Sequence, residues 1–192
     1  MSAFVRPTRP ADVPGIHALI QGVFDEYGLT FDPYGFDTHL LNPGEYFRTR
    51  GGEFWVVEDV DGRIVATAGL RMGPEVALPS AAVHRSAVAP AVDAARLEHA
   101  YRKPRPAELK SLYVAPRLRR KGWGRRLVSL AIEHARKADC THFVAWSDSL
   151  FTAAHALYRS MGFTQIGRRL LHDADNSIEI GFELALAPPD AE

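Results

Sequence analysis

The stretch Arg119-Arg120-Lys121-Gly122-Trp123-Gly124 constrains this chain more than any other. It stands between an apolar run, Glu108–Val114, that reads as a strand, and a segment from about Arg125 to Lys137 with helical apolar spacing. Two glycines at a strand-to-helix junction leave backbone N–H groups uncovered where a helix begins. Those orphan donors and the helix dipole attract anions. Arg119, Arg120, Lys121, Arg125 and Arg126 crowd the same end, where cations oppose the dipole and one another. A bound polyphosphate relieves that repulsion, so the sequence points to a phosphate-bearing ligand. No Lys-Ser or Lys-Thr pair follows Gly124, which excludes a P-loop. There is no third glycine or acidic residue in dinucleotide spacing.

The charge distribution supports a local site rather than a global one. Lys plus Arg and Asp plus Glu each number 23, giving zero formal net charge. Yet residues 102–126 hold ten of the Lys and Arg with Glu108 as the only acid, and residues 1–62 hold ten acids against four arginines. The cations sit largely in one loop and no nucleic-acid module is apparent, so nucleic acid is not an expected partner. No apolar run has the length of a membrane span or a signal peptide. The single Cys140 precedes an apolar strand and reads as a buried thiol in a reducing compartment. A cytoplasmic protein is expected. No Cys/His spacing suits a metal.

The rest of the chain reads as alternating strands and helices, a mixed α/β pattern in a single domain over residues 1–186 with a disordered tail at 187–192. Ala3–Arg6 is a short strand. A helix capped by Thr8 or Asp12 runs to about Tyr27, with Val13, Ile16, Leu19, Ile20 and Val23 at helical spacing. Glu53–Glu58 and Arg63–Arg71 form a hairpin about Asp61-Gly62. Residues 74–107, with five prolines, read as an insertion or lid carrying one short helix near Ala91–Tyr101. Thr141–Trp146 is a strand, and Thr152–Met161 a helix closed by Gly162. Gln165–Leu171 and Ser177–Leu186 pair around a turn at Asp173–Asn176.

Two segments resemble a known family. The run ELKSLYVAPRLRRKGWGRRLVSLAIEHA is similar to the central acetyl-CoA motif of the GNAT superfamily of N-acetyltransferases, with Arg-x-x-Gly-x-Gly at 119–124. AHALYRSMGF at 154–163 resembles the family's second motif. The resemblance is weak over residues 3–72 and good over 107–186. It implies a mixed central sheet whose fourth and fifth strands splay apart, flanked by helices, with acetyl-CoA as co-substrate and its pantetheine arm in the wedge. Backbone groups of Leu112, Tyr113 and Val114 would pair with the pantetheine and thioester. Backbone N–H groups from Arg120 to Arg125, with Arg119, Lys121, Gly122, Trp123 and Gly124 in the same loop, would hold the pyrophosphate.

The resemblance also assigns chemistry. Tyr158 stands where the family often keeps a tyrosine near the CoA sulfur, as general acid; the alternative is a core tyrosine packed beside Phe163. Glu108 stands where some members place a glutamate base, although a solvated ion pair with Lys110 fits a strand end too. Asp148 faces the acceptor side, or else caps the next helix with Thr152 as its rival. Phe151 departs from the asparagine that many relatives place there to contact CoA. His155 reads as packed.

Asp25, Glu26, Asp32 and Asp37, interleaved with Phe24, Tyr27, Phe31, Tyr34 and Phe36, fall where the family walls its acceptor site. Tyr27 and Phe31 are therefore candidate substrate contacts. An acidic wall would focus a cationic amine. The expected acceptor is a primary amine of a small molecule or peptide. A homodimer built through the insertion fits, and so does a catalytically silent acyl-CoA-binding module.

Overall fold

A computed structural model describes residues 3–73, 76 and 105–186. Seven strands form one sheet in the order β1-β2-β3-β4-β5-β7-β6. They are β1 (Ala3–Pro7), β2 (Glu53–Asp59), β3 (Ile64–Met72), β4 (Pro106–Val114), β5 (His142–Asp148), β6 (Thr164–Leu170) and β7 (Ile178–Ala185). The helices are α1 (Val13–Tyr27), α2 (Pro43–Arg48), α3 (Trp123–Lys137) and α4 (Thr152–Ser160). The insertion's expected helix near Ala91–Tyr101 and the tail lie outside the described residues. The insertion itself ends sooner than expected, since Pro106 and Ala107 belong to β4.

Every strand pair is antiparallel except β4 and β5, which run parallel from Pro106↔His142 to Leu109↔Ala145. That ladder stops while both strands continue, β4 to Val114 and β5 to Asp148. The strands therefore splay, and β4 beyond Leu109 has no strand paired on its β5 side. A bulge in β4 aids the divergence: the register with β3 shifts between Thr67↔Tyr113 and Gly69↔Lys110. Ser111 takes φ 53°, an uncommon conformation for a non-glycine residue. Thr67 Oγ1 donates to the Ser111 carbonyl at 2.8 Å and holds the kink.

Apolar clusters cover both faces of the sheet. α3 buries Leu127, Val128, Ala131, Ile132 and Ala135 against Leu70, Leu109 and Phe143. Each large apolar side chain removed from water there stabilises the fold by roughly 1.5–3 kcal/mol. On the other face Ile16 and Ile20 of α1 meet Leu40, Phe47, Phe54 and Val56. α2 comes so close to the sheet that a Cβ on Gly69 would overlap the Phe47 ring.

The segment leading to α2 has a sequence signal of its own: Asn42-Pro43-Gly44-Glu45 places an N-cap, a first-turn proline and an N3 glutamate in order. Asn42 indeed accepts from the Glu45 N–H at 3.5 Å. Asp12 precedes α1 as expected but does not cap it. Its carboxylate accepts instead from the Arg9 N–H at 2.7 Å and from the Arg6 guanidinium.

Candidate active site

The divergence of β4 and β5 opens a cleft of about 750 Å³. Its walls are the free end of β4, the loop into α3, the exposed face of α4, the end of α1 and the β6–β7 turn. The two outer loops meet across it: Thr30 donates its N–H and Oγ1 to Asp175 at 2.7 and 2.9 Å.

One end of the cleft is cationic. Arg120 and Gly122 both adopt positive φ, 57° and 84°, which turns the loop sharply into the start of α3. Gly122 is the N-cap of α3, and its carbonyl accepts from the Arg126 N–H at 2.9 Å. The amides of Trp123, Gly124 and Arg125 are therefore the orphan donors of the first turn. Arg120 is exposed and lines the cleft beside Arg125, whose Nη2 donates to Ser160 Oγ at 2.7 Å.

Other residues of this loop sit differently from the expectation. Arg119 lines the cleft but spends its donors on protein: Nε on the Val114 carbonyl at 3.0 Å, and Nη1 and Nη2 on Glu26 at 2.7 and 3.0 Å. It ties α1 to the end of β4. Trp123 packs on the core with Arg126 5.0 Å above its ring, and neither it nor the exposed Lys121 lines the cleft. Gly124 has a second reason to be glycine. A Cβ there would stand 3.1 Å from Leu157 of α4, so it allows the two helices to approach.

At the centre, Leu112, Tyr113 and Val114 lie where β4 still pairs with β3 but no longer with β5, and they line the cleft. Tyr158 reaches it from α4 and is only 3 % exposed. Its ring lies 5.5 Å from Phe163 and 5.3 Å from Phe182, while its hydroxyl has no hydrogen-bond partner among the described residues. Burial, and secondarily the charge of Glu179, pushes the phenol above its ordinary range, so it stays protonated. Burial does the same to Tyr113, with Asp37, Glu179 and Asp148 adding to the shift. Gly162, at φ 87°, ends α4 as expected. His155 is packed, 5.2 Å from the Phe182 ring, and burial lowers its pKa.

The far end is acidic and mixed. Glu108 lines the cleft yet is 3 % exposed. Its partner is Arg71, the residue opposite it on β3, rather than Lys110: Arg71 Nε donates to Oε2 at 2.7 Å. Asp37 lines the cleft, and burial pushes its carboxyl up to about 6. His39, 3.0 Å from Ser111 Oγ, is driven down to about 3 by burial beside Lys110 and Arg71, so it is neutral. Asp148 Oδ1 accepts from the Leu150 N–H at 2.8 Å and shapes the turn before α4; neither it nor Thr152 caps the helix with its side chain.

The aromatic residues divide. Tyr27 lines the cleft 4.9 Å from the Phe151 ring, and Phe151 joins Phe24 and Tyr113 in one aromatic wall. Phe31 does not line the cleft. It packs edge-on against His17 and Phe24 at 5.3 and 5.9 Å, supporting the wall from behind. Of the expected acidic patch, Asp32 and Asp37 reach the cleft, whereas Asp25 pairs with Gln21 and Glu26 with Arg119. Glu179, Arg169 and His39 line the site although the sequence did not point to them, and Lys110, expected only as a partner of Glu108, lines it too.

Comparison with known proteins agrees with this fold. The chain is 27 % identical over 160 residues to the uncharacterized N-acetyltransferase YjgM of Escherichia coli (strain K12), covering 81 % of this chain and 78 % of that protein. A GNAT-family acetyltransferase from Staphylococcus aureus Mu50 superposes with a TM-score of 0.72 at 15 % identity, covering 97 % of this chain and 100 % of that one. YncA of Salmonella typhimurium, solved with its cofactor acetyl-CoA, gives 0.65 at 19 % identity, covering 100 % and 98 %. No helix among the described residues is long and apolar enough to cross a membrane. The acetyltransferase (GNAT) family profile matches residues 17–163, and the chain belongs to that family.

Proposed function

We propose that this protein transfers an acetyl group from acetyl-CoA to a primary amine of a small molecule or peptide, by direct attack of the amine on the thioester. The observation that carries the reading is the wedge where β4–β5 pairing ends. It brings the edge of β4 that β5 leaves open at Leu112–Val114, the start of α3 and Tyr158 to one cleft.

The residues present suit the donor. Orphan amides at Trp123–Arg125, with Arg120 and Arg125 beside them, hold the pyrophosphate; Gly122 sets the turn, and Lys121 and the packed Trp123 support the loop. The free edge of Leu112, Tyr113 and Val114 receives the pantetheine and steadies the thioester oxygen. Arg119 keeps the wall in place through Glu26. Tyr158 gives its proton to the departing sulfur, and its unpaired hydroxyl is free for that task. Tyr27 and Asp148 meet the acceptor, and Phe31 fixes the wall that Tyr27 extends. Glu108, 3 % exposed and paired with Arg71, is poorly placed to pass a proton on to solvent. That restraint favours a second reading, a silent acyl-CoA-binding module.

Incubation with acetyl-CoA and a panel of amines, with detection of free thiol, separates the two. Amine-dependent thiol release supports transfer. Binding of CoA with no turnover across the panel supports the silent module.

A further inference from the structure

A primary alkylamine is an ammonium ion at neutral pH, with a pKa of about 10 for a lysine-like amine, so a nearby group must take a proton before the nitrogen can attack. Glu108 is buried and committed to Arg71. Asp37 sits on a loop, beside the acids Asp32 and Asp173 and the cation Lys110.

Glu179 is also held by one arginine, but its side chain is 16 % exposed against 4 % for Glu108, which gives its proton a route to solvent. It stands on β7 directly opposite Asp148 of β5 on one side and Arg169 of β6 on the other. Opposed residues of antiparallel strands point to the same face, so these side chains form a row, and all of them line the cleft. Arg169 Nε and Nη2 both reach Glu179 Oε2 at 2.6 Å. Oε1 has no hydrogen bond to protein among the described residues. Arg169 is itself fixed, with its guanidinium 4.3 Å from the centre of the Trp146 ring. The Glu179 charge acts on both cleft tyrosines, Tyr113 and Tyr158. Glu179 and Tyr158 line the same cleft, so a base and an acid face the space where the carbonyl carbon would lie between the sulfur and the attacking nitrogen.

We propose that Glu179 takes the first proton from the acceptor amine, with Arg169 as the positioning residue that holds it there. The proposal rests on the acetyl-transfer reading of this cleft. Two protons leave the nitrogen. The first passes to Glu179 as ammonium becomes amine, and then to solvent. The C–N bond forms, the C–S bond breaks, and sulfur takes the proton of Tyr158. The second proton leaves the nitrogen as the amide forms and restores the phenol.

Glu179 is faced by Asp148 from β5, Arg169 from β6, Glu108, Lys110 and Tyr113 from β4, and Tyr158 from α4. Burial lifts its carboxyl above the ordinary range and Glu108 adds to this, while Arg169 and Lys110 draw it back. Activity should rise with pH as this group ionises.

The test uses the full chain with an alkylamine that the wild type acetylates and with a weakly basic amine, neutral at pH 7. Glu179→Gln should lower kcat on the alkylamine by about 10²–10³-fold and abolish the acidic limb of kcat/KM, with CoA affinity unchanged. The weakly basic amine should recover most of the loss, a rescue that a merely structural role would not produce. Arg169→Met should lower kcat on the alkylamine and move the acidic limb to higher pH, because Glu179 then loses both its anchor and the guanidinium that draws its carboxyl back. The assignment is overturned if Glu179→Gln retains kcat within about threefold and keeps the limb, or is equally slow on both amines. A wild type that binds CoA yet releases no thiol with any amine overturns the acetyl-transfer reading itself, and Glu179's role with it.

Discussion

Tyr158→Phe separates chemistry from packing in one change. The Tyr158 ring is buried against Phe163 and Phe182, and its hydroxyl has no hydrogen-bond partner among the described residues. Phenylalanine keeps the ring contacts and breaks no protein hydrogen bond. The variant should therefore keep its stability to within about 1 kcal/mol, whereas truncation to alanine would cost about 3–5 kcal/mol. If the hydroxyl delivers the proton to sulfur, its loss should slow turnover by about 10²–10⁴-fold, or roughly 3–5 kcal/mol in the barrier. The phenol is held above its ordinary range, so in the wild type it should set no basic limb below a pH of about 10. The assay is thiol release under saturating acetyl-CoA, beside a denaturant melt of each protein. A Tyr158→Phe enzyme of unaltered kcat would refute the general-acid role. One that lost several kcal/mol of stability would refute the claim that the hydroxyl is free.

Other residues give further tests. Arg120→Ala should weaken CoA binding by about threefold to tenfold in calorimetry without altering the melting temperature, because Arg120 is exposed at the cleft. Glu108→Gln leaves the Arg71 guanidinium facing a neutral amide and should cost about 3 kcal/mol in denaturant unfolding, the low end for a broken buried pair, since Arg71 keeps some contact with solvent. Asp37→Asn should stabilise the fold at pH 7 by up to about 2 kcal/mol once solvent screening is allowed for. Its folded pKa is raised from 3.8 to about 6, so the native state holds the extra proton and wild-type stability should fall as pH rises between those values. A flat pH–stability difference between the two proteins would refute this.

Much of the donor side was legible in the sequence because it is built locally. A strand, a glycine turn and a helix start are contiguous in the chain, and the apolar spacing of α3 names its buried face. Gly162 marks the end of α4 for the same reason. The acceptor side was less legible because it is assembled across distance. Glu108 meets Arg71 only through the β3–β4 register, and Glu179 meets Asp148 and Arg169 only through pairings at the far edge of the sheet. Composition likewise cannot tell an arginine that faces a ligand, such as Arg120, from one spent on an α1 carboxylate, such as Arg119. Phe31 has the residue type of a pocket wall, but its neighbours His17 and Phe24 draw it into packing.

The central claim is that the wedge between β4 and β5 transfers acetyl from CoA to an amine. Mass analysis of an amine panel after incubation with the protein and acetyl-CoA, with free thiol measured in parallel, tests it most directly. The expected result is at least one amine gaining one acetyl group in equal measure with thiol released, and loss of both signals in Tyr158→Phe. Tight CoA binding with no acetylated amine anywhere in the panel would contradict it.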